Sequence, residues 1–356
     1  MRTDDLDYDL PHSAIAQTPV EPRDSARLLT YLGGVVAHRH VSDLADLVRP
    51  GDVLVVNDTK VLPARLRLTK ATGGVVEVLL LERDPSGWWR ALVRPSRKIA
   101  AGTVLRSPGS DLGVEVGEVL AEGQRRVRLL GPDDLALSPL DEPVALDAHG
   151  VMPLPPYITT AMTDPGRYQT VFARQPGSVA APTAGLHFTE ALMERCRARG
   201  AQVLSVELVV GLDTFRPVTT DRVEDHVIHT ERYRVPQATW DACQAASSHG
   251  GRVIAVGTTS VRALESAAAW GELEGRTDLF IYGDRRLQLV DVLLTNYHLP
   301  RTTLLALLQS FVGPVWRELY AIALADGYRF LSFGDAMLVD RQASAKGHIA
   351  PGSVVT

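Results

Sequence analysis

Hydrophobic and polar positions follow two rhythms along the chain. Between about Leu66 and Leu146 the apolar runs are short or alternating: Val75 to Leu81, Trp89 to Val93, Leu112 to Leu120 and Arg126 to Leu130. Gly, Pro, Asp and Ser punctuate them at intervals of roughly a dozen residues, the spacing of a small antiparallel barrel or sandwich. From Pro153 onward the rhythm lengthens. Apolar strands predicted at Val203 to Val210, Arg252 to Val256, Leu287 to Leu294 and Tyr328 to Phe333 alternate with helical stretches near Glu190 to Arg199, Val261 to Trp270 and Thr303 to Leu324. Such alternation predicts a layered α/β core. Near the start, a loop rich in Pro and Arg (Pro11 to Arg27) leads to an apolar run (Arg27 to Leu32), and a buried strand from Asp52 to Val56 stops at Asn57-Asp58-Thr59. The expected fold is an α/β main domain, residues 1–65 and 147–356, interrupted by an inserted antiparallel β-barrel domain, residues 66–146. The tail from about Gln342 to Thr356 is expected to be loosely held.

Composition narrows the function. With 356 residues, 45% hydrophobic and 22% charged, the chain can bury a sizeable core. A formal charge of -5 and a pI near 6.1 exclude a polybasic protein that coats nucleic acid by bulk charge, so any RNA contact must be local. The predicted barrel is locally basic, with Arg83, Arg90, Arg94, Arg97, Lys98, Arg106, Arg125, Arg126 and Arg128 interleaved with Trp88 and Trp89. That pattern suits either a solvated barrel surface over core tryptophans or an RNA contact. Cys196 and Cys243 form neither a CxxC pair nor a zinc spacing and read as small buried hydrophobes. His226-Val-Ile-His229 is too sparse for a metal site, and no metal is expected. The acidic opening Met1 to Asp7 lacks the apolar stretch of a signal peptide and no apolar run is long enough for a membrane span, so the expected location is the cytoplasm, without a membrane partner.

Four segments share one grammar, in which an apolar run ends in small polar residues, usually just before a helix, where α/β proteins bind ligands. In Gly257-Thr258-Thr259-Ser260-Val261-Arg262 unpaired helix-start amides and hydroxyls would hold a carboxylate or phosphate oxygen, and Arg262 is the natural fork for a carboxylate. A simple Ser or Thr cap explains the same residues without a ligand. In Pro182-Thr183-Ala184-Gly185-Leu186-His187-Phe188-Thr189, His187 can carry a proton and Thr189 caps the next helix, although a lone histidine is more often structural. Thr295-Asn296-Tyr297-His298 offers an amide, an aromatic face and an imidazole, a set suited to a nucleobase. In Phe333-Gly334-Asp335 a carboxylate sits in an apolar stretch and must serve a hydrogen-bond network or a site. There is no G-x-G-x-x-G and no G-x-x-x-x-G-K-[ST] loop, which leaves a Rossmann cofactor, a P-loop nucleotide and the usual glycine-rich methyltransferase without support.

Taken in order, these segments resemble the S-adenosylmethionine:tRNA ribosyltransferase-isomerase family over nearly the whole chain. The resemblance rests on Asp7-Tyr-Asp-Leu-Pro11, Ile15-Ala-Gln17, Arg23 with Arg27-Leu-Leu29, Gly51-Asp52, Asn57-Asp-Thr59, Pro63-Ala-Arg-Leu66, Pro153-Leu-Pro-Pro-Tyr-Ile158 and Arg167-Tyr-Gln-Thr-Val171. It continues through Pro182 to Thr189, Thr214-Phe-Arg-Pro217, Val256 to Ser266, Thr295 to Pro300 and Gly334-Asp-Ala-Met337. The resemblance implies transfer and isomerisation of the ribosyl group of S-adenosylmethionine, a co-substrate rather than a resident cofactor, onto an aminomethyl-deazaguanine at the wobble position of a tRNA anticodon stem-loop. Epoxyqueuosine, adenine and methionine would be the products. It also implies a barrel over residues 66–146 that offers a tRNA contact. His187, His298, Asp58 and Asp335 become the candidates for proton transfer. Asn57, Thr59, Arg65, Thr183, Gly185, Thr189, Gly257, Thr258, Thr259, Ser260, Arg262, Asn296 and Tyr297 become candidates for binding, with the methionine carboxylate near Gly257 to Arg262. The pattern is broken at Lys60, Asp213, Gly283-Asp284-Arg285 and Gln309-Ser310, changes that bear on substrate fit more than on reaction class. Two rival readings are an S-adenosylmethionine-dependent ribosyltransferase acting on a small amine, and a non-catalytic RNA-binding protein.

Overall fold

The computed structural model describes residues 1–211 and 217–341 and the backbone of 354–355. Asp213, the segment Thr214 to Arg216, and residues 342–353 and 356 of the tail lie outside the described residues. In chain order the strands are β1 (Arg27–Leu32), β2 (Val35–His40), β3 (Val53–Asn57), β4 (Thr59–Val61), β5 (Arg65–Thr69), β6 (Val75–Arg83), β7 (Trp89–Arg94), β8 (Thr103–Arg106) and β9 (Gly113–Val119). They continue as β10 (Arg125–Leu130), β11 (Gln175–Ser178), β12 (Gln202–Leu208), β13 (Glu231–Arg234), β14 (Val253–Val256), β15 (Glu274–Thr277), β16 (Val292–Asn296), β17 (Ala336–Asp340) and β18 (Val354–Val355). The helices are α1 (Leu44–Leu47), α2 (Asp141–His149), α3 (Glu190–Ala198), α4 (Gln237–His249), α5 (Thr258–Trp270), α6 (Thr303–Val312) and α7 (Trp316–Ala325).

The chain forms two compact units, one of Met1–Thr59, Pro156–Gln175 and Ala181–Thr356, the other of Lys60–Pro155 and Pro176–Ala180. The first is the predicted α/β layer. Its ten-stranded sheet runs β15-β13-β12-β3-β14-β16-β17-β1-β2-β18, with β12, β3, β14 and β16 mutually parallel and β17 antiparallel to β16. The central strands β3, β14 and β16 are apolar up to their carboxyl ends and buried at every position, as parallel strands covered on both faces must be. Leu54, Val56, Ile254, Val256, Val292 and Leu294 pack with Phe188, Leu192 and Cys196 in one core. No described helix is long and apolar enough to cross a membrane.

The second unit is a closed antiparallel barrel, β10-β7-β6-β5-β8-β9. Its strands alternate as a barrel wall should: Leu66 and Leu68 are fully buried while Arg67 between them is exposed. Among the arginines singled out by sequence, most meet an acid at once. Arg83 pairs with Glu142, Arg90 with Glu82, Arg106 with Asp134, Arg126 with Asp84 and Glu118, and Arg128 with Glu115. Arg125 is buried and donates to the Gly117 and Ile99 carbonyls.

Three element expectations need correction. Leu287 to Leu294 extends as a strand only from Val292, because the amides of Gln288, Leu289 and Val290 donate to the Glu265 carboxylate at 2.7, 2.9 and 2.9 Å instead of to a ladder. Tyr328 to Phe333 is a buried loop: Leu331 has φ +69°, and the Asp335 amide turns back to the Arg329 carbonyl. Burial makes a run apolar whether or not it is extended. Thr303 to Leu324 is two helices broken at Gly313-Pro314, where the ring of proline removes a donor and glycine takes φ +71°.

Candidate active site

The carboxyl ends of β12, β3, β14 and β16 lie on one edge of the sheet, the usual ligand edge of a parallel α/β layer. A cleft of about 600 Å³, partly open to solvent, occupies that edge within the α/β unit. Its walls come from Pro182 to Ala184, from Gly257 to Thr259 after β14, from Thr295 to Leu299 at the end of β16, and from Leu331 and Ser332. Among the described residues that line it, none is Asp, Glu, Lys or Arg.

On one wall, Gly257 turns β14 into α5. It adopts φ +88° and donates its amide to the Leu294 carbonyl at 2.8 Å, a conformation that favours glycine. Thr258 and Thr259 follow at the helix start, where amides lack intrahelical acceptors and the helix presents its positive end. The Thr259 hydroxyl is buried without a hydrogen-bond partner among the described residues. Two neighbours expected at this spot point elsewhere. Ser260 Oγ donates back to the Val256 carbonyl at 2.9 Å, and Arg262 forms a buried ion pair with Glu231 and donates to the Leu279 carbonyl. Neither lines the cleft.

On the opposite wall, Asn296 is the hub. Thr183 Oγ1 donates to its Oδ1 at 2.9 Å, while its Nδ2 lies 3.0 Å from His187 Nε2 and 3.4 Å from the Asp335 carbonyl. A carbonyl only accepts, so the atom facing it is the amide nitrogen. His187 Nε2 is therefore an acceptor, and its proton sits on Nδ1. Burial, with Arg329, Arg167 and Arg23 close by, pushes the His187 pKa down to about 4. His187 does not line the main cleft; it faces a smaller cavity of about 240 Å³ with Arg23 and Arg167, and Ser332 borders both spaces. His298 does line the cleft. Its Nε2 lies 3.0 Å from Thr295 Oγ1, its amide donates to Tyr320 OH at 2.9 Å, and burial pushes its pKa down to about 3. Tyr297 stacks on Phe330 with ring centroids 4.4 Å apart, and its buried hydroxyl has no partner.

The remaining candidates serve the framework. Asn57 clamps β3 to the end of β12, its amide exchanging two bonds with the Leu208 backbone at 3.0 and 3.1 Å. Thr59 donates its amide to Asn57 Oδ1. The Asp58 carbonyl accepts from the Arg174 and Gln175 amides, and burial raises its carboxyl pKa against the pull of a Ser205 hydrogen bond. Asp335 accepts the amides of Arg27 and Arg329, one on each oxygen, both at 2.8 Å. Gly185 is required by packing, since a β-carbon would sit 2.6 Å from Phe172 Cζ. Thr189 caps α3 by accepting the Leu192 amide. Arg65 belongs to the barrel and pairs with Glu77 at 3.6 Å.

Sequence reasoning passed over Tyr157, whose hydroxyl meets Ser332 Oγ at 2.6 Å, and Val210, Leu299, Thr302, Leu304, Leu331 and Ser332, all of which line the cleft. The positive φ of Leu331 leaves no mark in an apolar sequence. Tyr157 lay inside the Pro153 to Ile158 motif without a chemical reason to single it out.

An α/β unit with an uncharged polar cleft at its parallel strand ends, interrupted by a closed β-barrel, defines the class of this protein. Known proteins make the assignment specific. The family described as queuosine biosynthesis protein matches residues 3–339, and the chain belongs to that family. Proteins named S-adenosylmethionine:tRNA ribosyltransferase-isomerase are 48% identical in Moorella thermoacetica over 350 residues, covering 95% of this chain and 100% of the relative. In Azoarcus sp. the identity is 50% over 349 residues, with 96% and 98% covered. The crystal structure of S-adenosylmethionine tRNA ribosyltransferase from Thermotoga maritima is 35% identical, covers 94% of this chain and 99% of its own, and superposes with a TM-score of 0.53.

Proposed function

We propose that this protein transfers and isomerises the ribosyl group of S-adenosylmethionine onto 7-aminomethyl-7-deazaguanine at the wobble position of tRNA, giving epoxyqueuosine and releasing adenine and methionine. The family assignment supports the reaction. The observation that supports its location is a cleft whose described lining carries no Asp, Glu, Lys or Arg and in which His298 is the one imidazole among the described residues.

S-adenosylmethionine supplies its own activation, since the sulfonium acidifies the adjacent 5′ carbon and makes methionine a good leaving group. The protein must then accept one proton and help adenine leave with another. His298, neutral around pH 7, lines the cleft and is placed to accept a proton. At the start of α5 the free amides and the Thr259 hydroxyl suit the methionine carboxylate, with no guanidinium needed. Both Asn296 donors are committed to His187 and Asp335, so its remaining capacity is one Oδ1 lone pair, fit for an N–H of a base. His187 is a positioning residue that fixes this orientation. The anticodon stem-loop is the RNA element we assign, the barrel unit the part that grips its backbone, and the cytoplasm the compartment.

Incubation with S-adenosylmethionine and tRNA carrying the aminomethyl base, with free adenine as the readout, tests the proposal. RNA-dependent release is expected. Release with a free deazapurine in place of RNA would shift the assignment to a small-molecule transferase, and tight RNA binding without release would make the protein a non-catalytic binder.

A further inference from the structure

The barrel carries one cluster of cations that its own acids leave unneutralised, and we infer that this cluster is a docking surface for RNA phosphates. Arg67 on β5 stands opposite Glu77 on β6, and Glu77 stands opposite Arg94 on β7. The three form a lateral row on the outer wall, because the adjacent Leu66, Leu68, Val76, Val78 and Val93 point into the barrel. Just beyond the strand ends, Lys70 Nζ donates to the Lys98 carbonyl at 3.0 Å, which draws the β5–β6 turn and the loop after β7 together and adds Arg97 to the same end of the wall.

Arg67, Arg94, Arg97 and Lys98 are exposed, and among the described residues none of their charged groups takes part in a hydrogen bond or ion pair. The single acid in the row, Glu77, lies 3.6 Å from Arg65. Elsewhere on the barrel Arg83, Arg90, Arg106, Arg126 and Arg128 are matched by carboxylates, and Arg125 is buried on the Gly117 and Ile99 carbonyls. In a chain with net charge -5, four unpaired cations with Lys70 beside them, Arg67 and Arg94 standing two strand spacings or roughly 10 Å apart, form a focused positive field. It suits a polyanion whose charges repeat, with counterion release as the driving force. The partner follows from the reading above, on which this inference rests: the substrate is an RNA whose reacting base enters a cleft with no cation among its described lining residues, and phosphate contacts made on another surface would position it.

The experiment measures adenine release against tRNA concentration at several salt concentrations for wild type, for R67Q/R94Q and for R67E/R94E/K98E, with R90Q/R128Q as a control on the paired wall. All substituted side chains are at least partly exposed, and unfolding midpoints verify that each variant folds. For R67Q/R94Q we expect the tRNA KM to rise about tenfold and the slope of log affinity against log salt to fall by about one to two. The charge reversal should raise KM further, and the control should match wild type. A wild-type KM and slope in both cluster variants overturns the inference, as does an equal loss in the control. If wild type itself releases no adenine with RNA, the functional reading fails instead, and direct tRNA binding by the same variants still decides the role of the cluster.

Discussion

β3 and β16 both end in asparagine, one residue apart in the register of the sheet, and use it in opposite ways. Asn57 turns its amide to the Leu208 backbone and knits the sheet together. Asn296 turns its amide to Thr183 and His187 at the edge of the cleft. The difference is set by what faces each strand end: β12 runs alongside β3 and presents an unladdered backbone, whereas β16 faces the loop from Thr183 to His187. A polar strand end is therefore an available position, and the neighbouring chain decides whether it becomes structure or site. The histidines repeat the lesson, since His298 lines the cleft and His187 only touches a residue that does.

The contrast can be broken most forcefully at His298. Replacing His298 with Gln should lower the rate of adenine release at least about 100-fold, the usual scale for loss of a proton-transfer group, with tRNA affinity retained; H187Q should cost clearly less. Equal losses in both variants would erase the distinction between them. Next in size is Arg262. Arg262→Met strands Glu231 as a buried, unpaired carboxylate and should destabilise folding by about 3–5 kcal/mol, read by denaturant unfolding, while an E231L change in the same chain recovers part of that loss. A rise in the KM for S-adenosylmethionine larger than the stability loss explains would return Arg262 to the site. Asp335→Asn should cost about 1–3 kcal/mol, because an amide cannot accept on both sides from the Arg27 and Arg329 N–H groups.

Smaller effects sharpen the picture. Thr259→Val removes a buried hydroxyl that has no protein partner, so stability should hold or rise slightly, while the KM for S-adenosylmethionine increases about fivefold, the worth of roughly one hydrogen bond. Unchanged KM would place the carboxylate elsewhere. A separate signal is in pH. Burial holds His187 near 4 and His298 near 3, below the value of about 6.5 of an exposed imidazole. Between those limits the unfolded chain binds protons that the folded chain refuses, so stability should fall as pH drops below about 6.5. Each His→Gln change should remove up to about one proton from that dependence.

Much of the fold was legible in the sequence because its determinants are local. Period-two alternation marked the barrel wall, and solid apolar runs marked β3 and β14. Polar triplets marked where strands end. What escaped depended on partners far along the chain: Glu265 capturing the amides of Gln288 to Val290, the left-handed turn at Leu331, and Asn57 meeting Leu208, 151 positions away. The barrel cations show the same limit. Composition exposed a basic excess, but only the cross-strand register separates Arg128, matched by Glu115, from Arg67 and Arg94, which share one already paired acid.

The most direct test of the central claim is single-turnover adenine release by wild type and H298Q with saturating S-adenosylmethionine and tRNA bearing the aminomethyl base. The account predicts one adenine per tRNA modified in wild type and a rate at least about 100-fold lower in folded H298Q. A near-normal single-turnover rate in H298Q would contradict it.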